Sequence, residues 1–255
     1  MPAATHDTKL LVPLAQRTGP LNSVLLHPAG GGLGQYLGTA ARLARHGSVF
    51  GIRAAGLLPG EEPDDDVADM TRTYLDLLGH VPDRPRVLVG WSLGGVLAWE
   101  LAARLAEDGP APAVVLIDSF TEHTDPDPGA DARTRVLDAI ETSVSHLGDG
   151  TDADRARTTA LAHVRASAAH RTRSRPGGPA LLMACAGPDR DRQIAAWQKL
   201  TDRLTVRDLD CGHFEVFEPP HQPPLLSHLD DFLDRLIDAP LNDDRPTDTP
   251  RETPR

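Results

Sequence analysis

Gly90-Trp91-Ser92-Leu93-Gly94 constrains this chain more than any other stretch. A Gly-x-Ser-x-Gly segment carries chemistry when it joins a strand to a helix, and both flanks are present. Arg86-Val87-Leu88-Val89 before it is short and apolar, the composition of a buried strand. Residues 96–106 after it are rich in good helix formers. Strand, sharp turn and helix together make a nucleophile elbow. The glycines keep side chains out of a turn too tight to hold them, and Ser92 stands on that turn beside the positive end of the helix. The plainer alternative is a simple link in which Ser92 caps the helix.

A second segment complements the first. Ser23-Val24-Leu25-Leu26-His27 is predicted to be the first strand, and Pro28-Ala29-Gly30-Gly31-Gly32 follows it. Attack of a serine on a carbonyl creates an oxyanion, which preorganised donors must meet. One donor is the N–H of the residue after the nucleophile, here Leu93. The other comes from a glycine-rich loop whose backbone can approach the substrate closely. Gly30 is the first choice and Ala29 the second. Taken alone, the three glycines are an ordinary flexible loop. His27 is read as a structural residue at a strand end, not as a base.

Two acids compete for the third catalytic role. Asp118 stands at the end of the apolar strand 113–117, and Asp189 follows strand 180–186 through Gly187-Pro188. Strand 204–209 leads through Asp210-Cys211-Gly212 to His213. An acid or histidine just beyond a strand's carboxyl end lies where open α/β sheets bind ligands. The order Ser, Asp, His is the order expected for such a site. The chain has 11 histidines, so His213 is selected by position. His6, His46, His80, His123, His146, His163, His170, His221 and His228 fall in tails, helices or loops and are read as solvated surface.

Strands at 23–27, 48–54, 86–90, 113–117, 180–186 and 204–209 alternate with helices at 33–46, 64–79, 93–107, 192–201 and 223–238, a βαβ rhythm. Val67, Met70, Tyr74 and Leu77 place one helix face on the sheet, and Asp64-Asp65-Asp66 suits that helix's amino terminus. Residues 120–178 break the rhythm. There Val136, Ile140, Val144 and Leu147 mark one amphipathic helix, and Ala156, Ala160, Val164 and Ser167 another. This reads as a helical insertion lying over the site as a lid. The domain is expected to span 1–240, with 241–255 a disordered tail of Pro, Asp, Thr and Arg.

A chain of 255 residues can bury a sizeable core without splitting. Its formal charge of −11 disfavours nucleic acid and anionic membranes as partners. The amino terminus shows no signal-peptide pattern and no apolar run reaches membrane-spanning length, which implies a cytoplasmic protein. Cys185 and Cys211 are read as buried thiols. No metal-ligand cluster is evident.

Residues 10–238 resemble the thioesterase domains of nonribosomal peptide and polyketide assembly lines. The matching pieces are His27-Pro28-Ala29-Gly30-Gly31-Gly32, Gly90-Trp91-Ser92-Leu93-Gly94-Gly95, Val115-Leu116-Ile117-Asp118-Ser119 and Gly212-His213-Phe214. The resemblance implies an α/β-hydrolase fold, a mostly parallel sheet flanked by helices with a helical lid insertion. It implies Asp118 as the triad acid, with Asp189 left at a helix start among surface ion pairs. The catalytic set is then Ser92, Asp118 and His213, with Leu93 and Gly30 as oxyanion donors and Ala29 and Trp91 beside the substrate. The implied substrates are acyl or peptidyl thioesters on the phosphopantetheine arm of a carrier protein, with no cofactor or metal of the enzyme's own. An acidic carrier would meet the basic run Arg165, His170, Arg171, Arg173 and Arg175. Start at Met1 without a carrier domain favours a discrete protein, with an excised domain as the alternative. An esterase or acyltransferase of the same fold and a non-catalytic carrier-binding module are the competing readings.

Overall fold

Strands covered on both faces read as unbroken apolar runs, and the inner strands of this sheet are built from them. The computed structural model describes residues 8–122 and 150–238. Its strands are β1 (Leu11–Ala15), β2 (Ser23–Leu26), β3 (Val49–Ile52), β4 (Val87–Trp91), β5 (Ala113–Ile117), β6 (Ala180–Cys185) and β7 (Leu204–Leu209). They form one seven-stranded sheet in the order β1-β3-β2-β4-β5-β6-β7. Every neighbouring pair is parallel except β1 with β3. The helices are α1 (Leu37–Leu43), α2 (Val67–Leu78), α3 (Leu93–Glu107), α4 (Thr151–Ala169), α5 (Arg190–Gln198) and α6 (Gln222–Asp238).

The strands' period of two divides the core between the two faces. Val24, Leu26, Leu88, Val114, Leu116 and Leu182 pack with α2 and α3 on one face, where Trp99 and Trp197 meet edge to face at 4.9 Å. Leu25, Val87, Val89, Val115, Ile117, Leu181 and Met183 pack with α1 and α6 on the other. The predicted stripe of α2, Val67, Met70, Tyr74 and Leu77, is fully buried. The acidic run before it acts as read: Asp66 Oδ1 accepts from the N–H groups of Ala68 at 2.8 Å and Asp69 at 3.0 Å.

Three departures from the sequence reading have physical reasons. β1 was not foreseen, because Pro13 lies within it; it is an antiparallel edge strand, where a residue without an N–H is tolerated. The predicted helix 33–46 shrinks to a 3₁₀ turn at Gly34–Tyr36 followed by α1, in a stretch holding Gly34 and Gly38. α4 matches the second predicted insertion helix, but its buried face runs through Ala153, Ala156, Ala160, His163 and Ala166, with Val164 and Ser167 only half-buried. The helix predicted around Val136 and the tail beyond 240 lie outside the described residues. The ends of the insertion are tied together: Glu122 and Arg171 form a bridge, and Thr172 N–H donates to Thr121 O at 2.9 Å.

Candidate active site

The elbow forms because two backbones come too close for a Cβ. A Cβ on Gly90 would stand 2.0 Å from the Gly94 carbonyl, and one on Gly94 would stand 2.4 Å from Leu26 O. Between them Ser92 takes φ 56 and ψ −123, a conformation costly for a residue with a Cβ. It precedes α3 without making a side-chain cap bond, so simple helix capping does not account for the serine. Its N–H donates to Ile117 O at 3.0 Å, which fastens the turn to the residue before Asp118.

Asp118 is 5% exposed and also left-handed, with φ 42. Its N–H donates to Met183 O at 2.8 Å, so the ends of β4, β5 and β6 are laced in sequence. Oδ2 accepts from His213 Nδ1–H at 2.7 Å. Oδ1 accepts from the Gln193 amide at 3.0 Å and from Cys185 N–H at 3.1 Å. Burial pushes the Asp118 carboxyl up, but the bond and charge of His213, with Gln193 and Cys185, outweigh it and hold the group below its ordinary range. Asp118 is therefore an anion, and it fixes His213 in the tautomer whose Nε2 is free to accept a proton. Asp189 has a different setting: exposed at the start of α5 and paired with Arg192 at 3.1 Å.

His213 lies over the residue beside the serine. Its ring faces Trp91 at 5.0 Å and meets Phe214 edge-on at 4.8 Å, and Phe214 is 50% exposed. Trp91 also packs edge to face on Phe217 at 5.4 Å. Packing thus occupies much of the Trp91 ring. The loop holding His213 is clasped by Arg190, which donates to Cys185 O and Leu209 O, each at 2.9 Å. The Cys185 and Cys211 thiols are buried neighbours with sulfurs 4.0 Å apart, and burial pushes both up in pKa.

The Leu93 and Gly30 residues differ in setting. Leu93 is buried at the head of α3, whereas Gly30 is exposed with open space where a Cβ would stand. Ala29 beside it is half-buried. His27 is the structural residue the sequence suggested: wholly buried, donating from Nδ1 to Pro28 O at 2.8 Å and accepting at Nε2 from the Tyr74 hydroxyl at 2.5 Å. His163 is not the surface residue expected. It is 0% exposed, stacked on His27 at 4.9 Å, and donates from Nδ1 to Ala29 O at 2.8 Å.

Three further residues, Tyr36, Gln193 and Trp197, escaped the sequence reading, and Tyr74, read there only as a packing residue, has a polar role as well. Tyr36 bridges two strand ends, donating to Leu26 O at 2.9 Å and accepting from Trp91 N–H at 2.7 Å. Gln193 holds both Asp118 and Ser119 O, and Trp197 donates to Ser119 O at 2.7 Å. Tyr74 closes the His27 bond. No local pattern marks them, since their partners lie 10 to 78 positions away. Among the described residues no cluster of His, Cys, Asp and Glu could hold a metal, and no helix is long and apolar enough to cross a membrane.

A family profile described as "Thioesterase domain" matches residues 24–233. The AMB antimetabolite synthetase AmbE of Pseudomonas aeruginosa is 38% identical over 111 residues, 41% of this chain and 5% of that protein. The thioesterase frbE of Dothideomycetidae sp. (strain 11243) is 32% identical over 133 residues, 48% of this chain and 51% of that protein. The chain thus spans about half the length of the second relative and a small part of the first. Among solved structures, the Vlm2 thioesterase domain bound with a dodecadepsipeptide shares a TM-score of 0.70 at 24% identity, over 90% of this chain and 98% of that one. The NocB thioesterase domain from the nocardicin cluster shares a TM-score of 0.69 at 19% identity, over 89% and 99%. At these identities the likeness shows the fold, an α/β-hydrolase-type sheet.

Proposed function

Since the chain belongs to the thioesterase domain family, we propose that it cleaves acyl or peptidyl thioesters from the phosphopantetheine arm of a carrier protein in secondary-metabolite biosynthesis, through an acyl-enzyme on Ser92. The observation that carries this is the 2.7 Å bond from His213 to a buried Asp118 anion beside the strained Ser92 elbow.

The chemistry follows from that bond. His213 Nε2 takes the proton of the Ser92 hydroxyl as Oγ attacks the thioester carbonyl. Asp118 holds the ring and stabilises the imidazolium. The Leu93 and Gly30 N–H groups receive the oxyanion. As the tetrahedral adduct collapses, the C–S bond breaks and the pantetheine thiol leaves with the proton from His213. An acyl-serine ester remains. Water, deprotonated by His213, then attacks the ester and frees a carboxylic acid. A nucleophile within the acyl chain would close a ring by the same step. Ala29 and Trp91 line the approach to the serine, and the basic residues Arg165, within α4, and His170, Arg171, Arg173 and Arg175, after it, are where an acidic carrier docks.

Carriers loaded with a panel of acyl groups, followed by intact mass with and without the protein, test the proposal. The acyl mass should disappear with the parent. It should persist with Ser92→Ala, which is expected to lose about 10⁶-fold in turnover. Near-normal turnover by a folded Ser92→Ala protein would end the mechanism. Turnover of simple esters without preference for the carrier-bound substrate would transfer the assignment to an esterase. Failure of Ser92 to react with a fluorophosphonate would favour a carrier-binding module.

A further inference from the structure

The glycine loop after β2 is closed as a turn by Gly31 N–H donating to Pro28 O at 2.9 Å, and Gly31 O accepts from Ala54 N–H at 2.9 Å, but neither bond touches the Ala29–Gly30 peptide at the turn's centre. Gly30 is exposed, and neither Gly30 nor Gly32 has any atom within 4 Å of where a Cβ would stand. Yet an oxyanion donor works only if its N–H is aimed before the substrate arrives. The aim is set from behind. In a planar peptide the carbonyl and the following N–H point in opposite directions, so fixing one fixes the other. Ala29 O and Gly30 N–H belong to one peptide unit, and Pro28 O and Ala29 N–H to the one before it. His163 Nδ1–H holds Ala29 O at 2.8 Å, and His27 Nδ1–H holds Pro28 O at 2.8 Å.

The geometry points to His163 as a positioning residue for the oxyanion site, contributed by the insertion between β5 and β6. This rests on the catalytic reading above and deepens it. His163 lies 134 positions from the carbonyl it holds. Its ring stacks on His27 with planes 26° apart, and His27 is braced in turn by Tyr74. Both rings are neutral donors at Nδ1, because a carbonyl oxygen can only accept. Burial disfavours the charged form of each. The His163 Nε2 atom is buried with no partner among the described residues. An apolar side chain would fill the same space without that desolvation cost, so shape alone does not account for an imidazole here. The bond also polarises the peptide and strengthens its N–H as a donor.

Three variants test it: His163→Asn, whose amide nitrogen occupies the place of Nδ1; His163→Gln, which carries the same group one bond further out; and His163→Leu, which has no donor. Turnover of a small thioester should fall about 10- to 100-fold in the Gln and Leu variants, in kcat with little change in KM, the scale expected when a catalytic donor is misplaced. The Asn variant should recover most of that loss. The amide resonance of Gly30, read in ¹⁵N-glycine-labelled protein, should shift in Gln and Leu and return in Asn. Should His163→Leu fail to fold, the Asn and Gln pair carries the comparison alone. Equal kcat in folded Asn and Gln variants, or an unmoved Gly30 resonance, overturns the assignment while the Ser92 mechanism stands. Turnover that survives Ser92→Ala overturns both.

Discussion

Ser92 and Asp118 are the two non-glycine residues with positive φ among those described, at 56° and 42°. Such conformations persist only where the surroundings over-determine them: close packing at Gly90 and Gly94 holds Ser92, and the Asp118 N–H bond to Met183 O with the bonds to its carboxylate holds Asp118. The acid's identity can be tested one carboxylate at a time. Asp118→Asn removes the charged partner of His213 and favours the wrong tautomer, a change that costs up to about 10⁴-fold in serine hydrolysis. Asp189→Asn removes only a surface partner of Arg192 and should stay within a few-fold of the parent. Steady-state kinetics on both folded variants check the ranking, and the reverse order would move the acid to Asp189. His27 gives a prediction of another kind. Burial, with His163 beside it, pushes its imidazole from 6.5 down to about 3 against the opposing bond to Pro28. Between those values the unfolded chain binds a proton that the folded chain refuses, so stability is full above pH 6.5 and falls as pH drops toward 3. His27 adds up to about 1.4 kcal/mol per pH unit to that fall. His27→Asn should be less stable at neutral pH yet lose less per pH unit between pH 6 and 4, measured by urea unfolding. Parallel stability curves would contradict it.

At the scale of elements, the elbow joins β4 to α3 and wedges both under the end of β2. Gly94→Ala would drive a Cβ into Leu26 O, which belongs to backbone and cannot rotate away. A loss of about 1–3 kcal/mol is expected from such overpacking, read as a lower urea midpoint. An unchanged midpoint would show that the turn has slack. The same elements show how far the sequence carried. β4, β5 and β6 were legible because buried parallel strands announce themselves as apolar runs, and α2 because its stripe and acidic start agree. The elbow was legible because its requirement is local, two glycines around a serine. β1 was hidden by Pro13, a proline in a run of five. His163 was hidden because its helix is alanine-rich, so a buried polar residue there breaks no visible pattern. Gln193 and Tyr36 act through partners 75 and 10 positions away, and only the closed sheet brings those together.

Over the molecule as a whole, the proposed chemistry gathers where successive strands end. The elbow, Asp118 and the His213 loop follow β4, β5 and β7, the Cys185 N–H ends β6, and the glycine loop follows β2. The insertion supplies His163 from outside that row, so the site draws on both sheet and insertion. The opposite margin of the sheet has its own consequence. β1 is the outermost strand on one side, Pro13 on it is exposed, and its register against β3 slips between Pro13 and Ala15. An outer strand normally offers a ladder of free donors and acceptors to any extended chain that drifts past. A missing N–H and an irregular register spoil that ladder. At this margin the sheet therefore offers an interrupted template, one that disfavours its growth by the addition of strands from another copy.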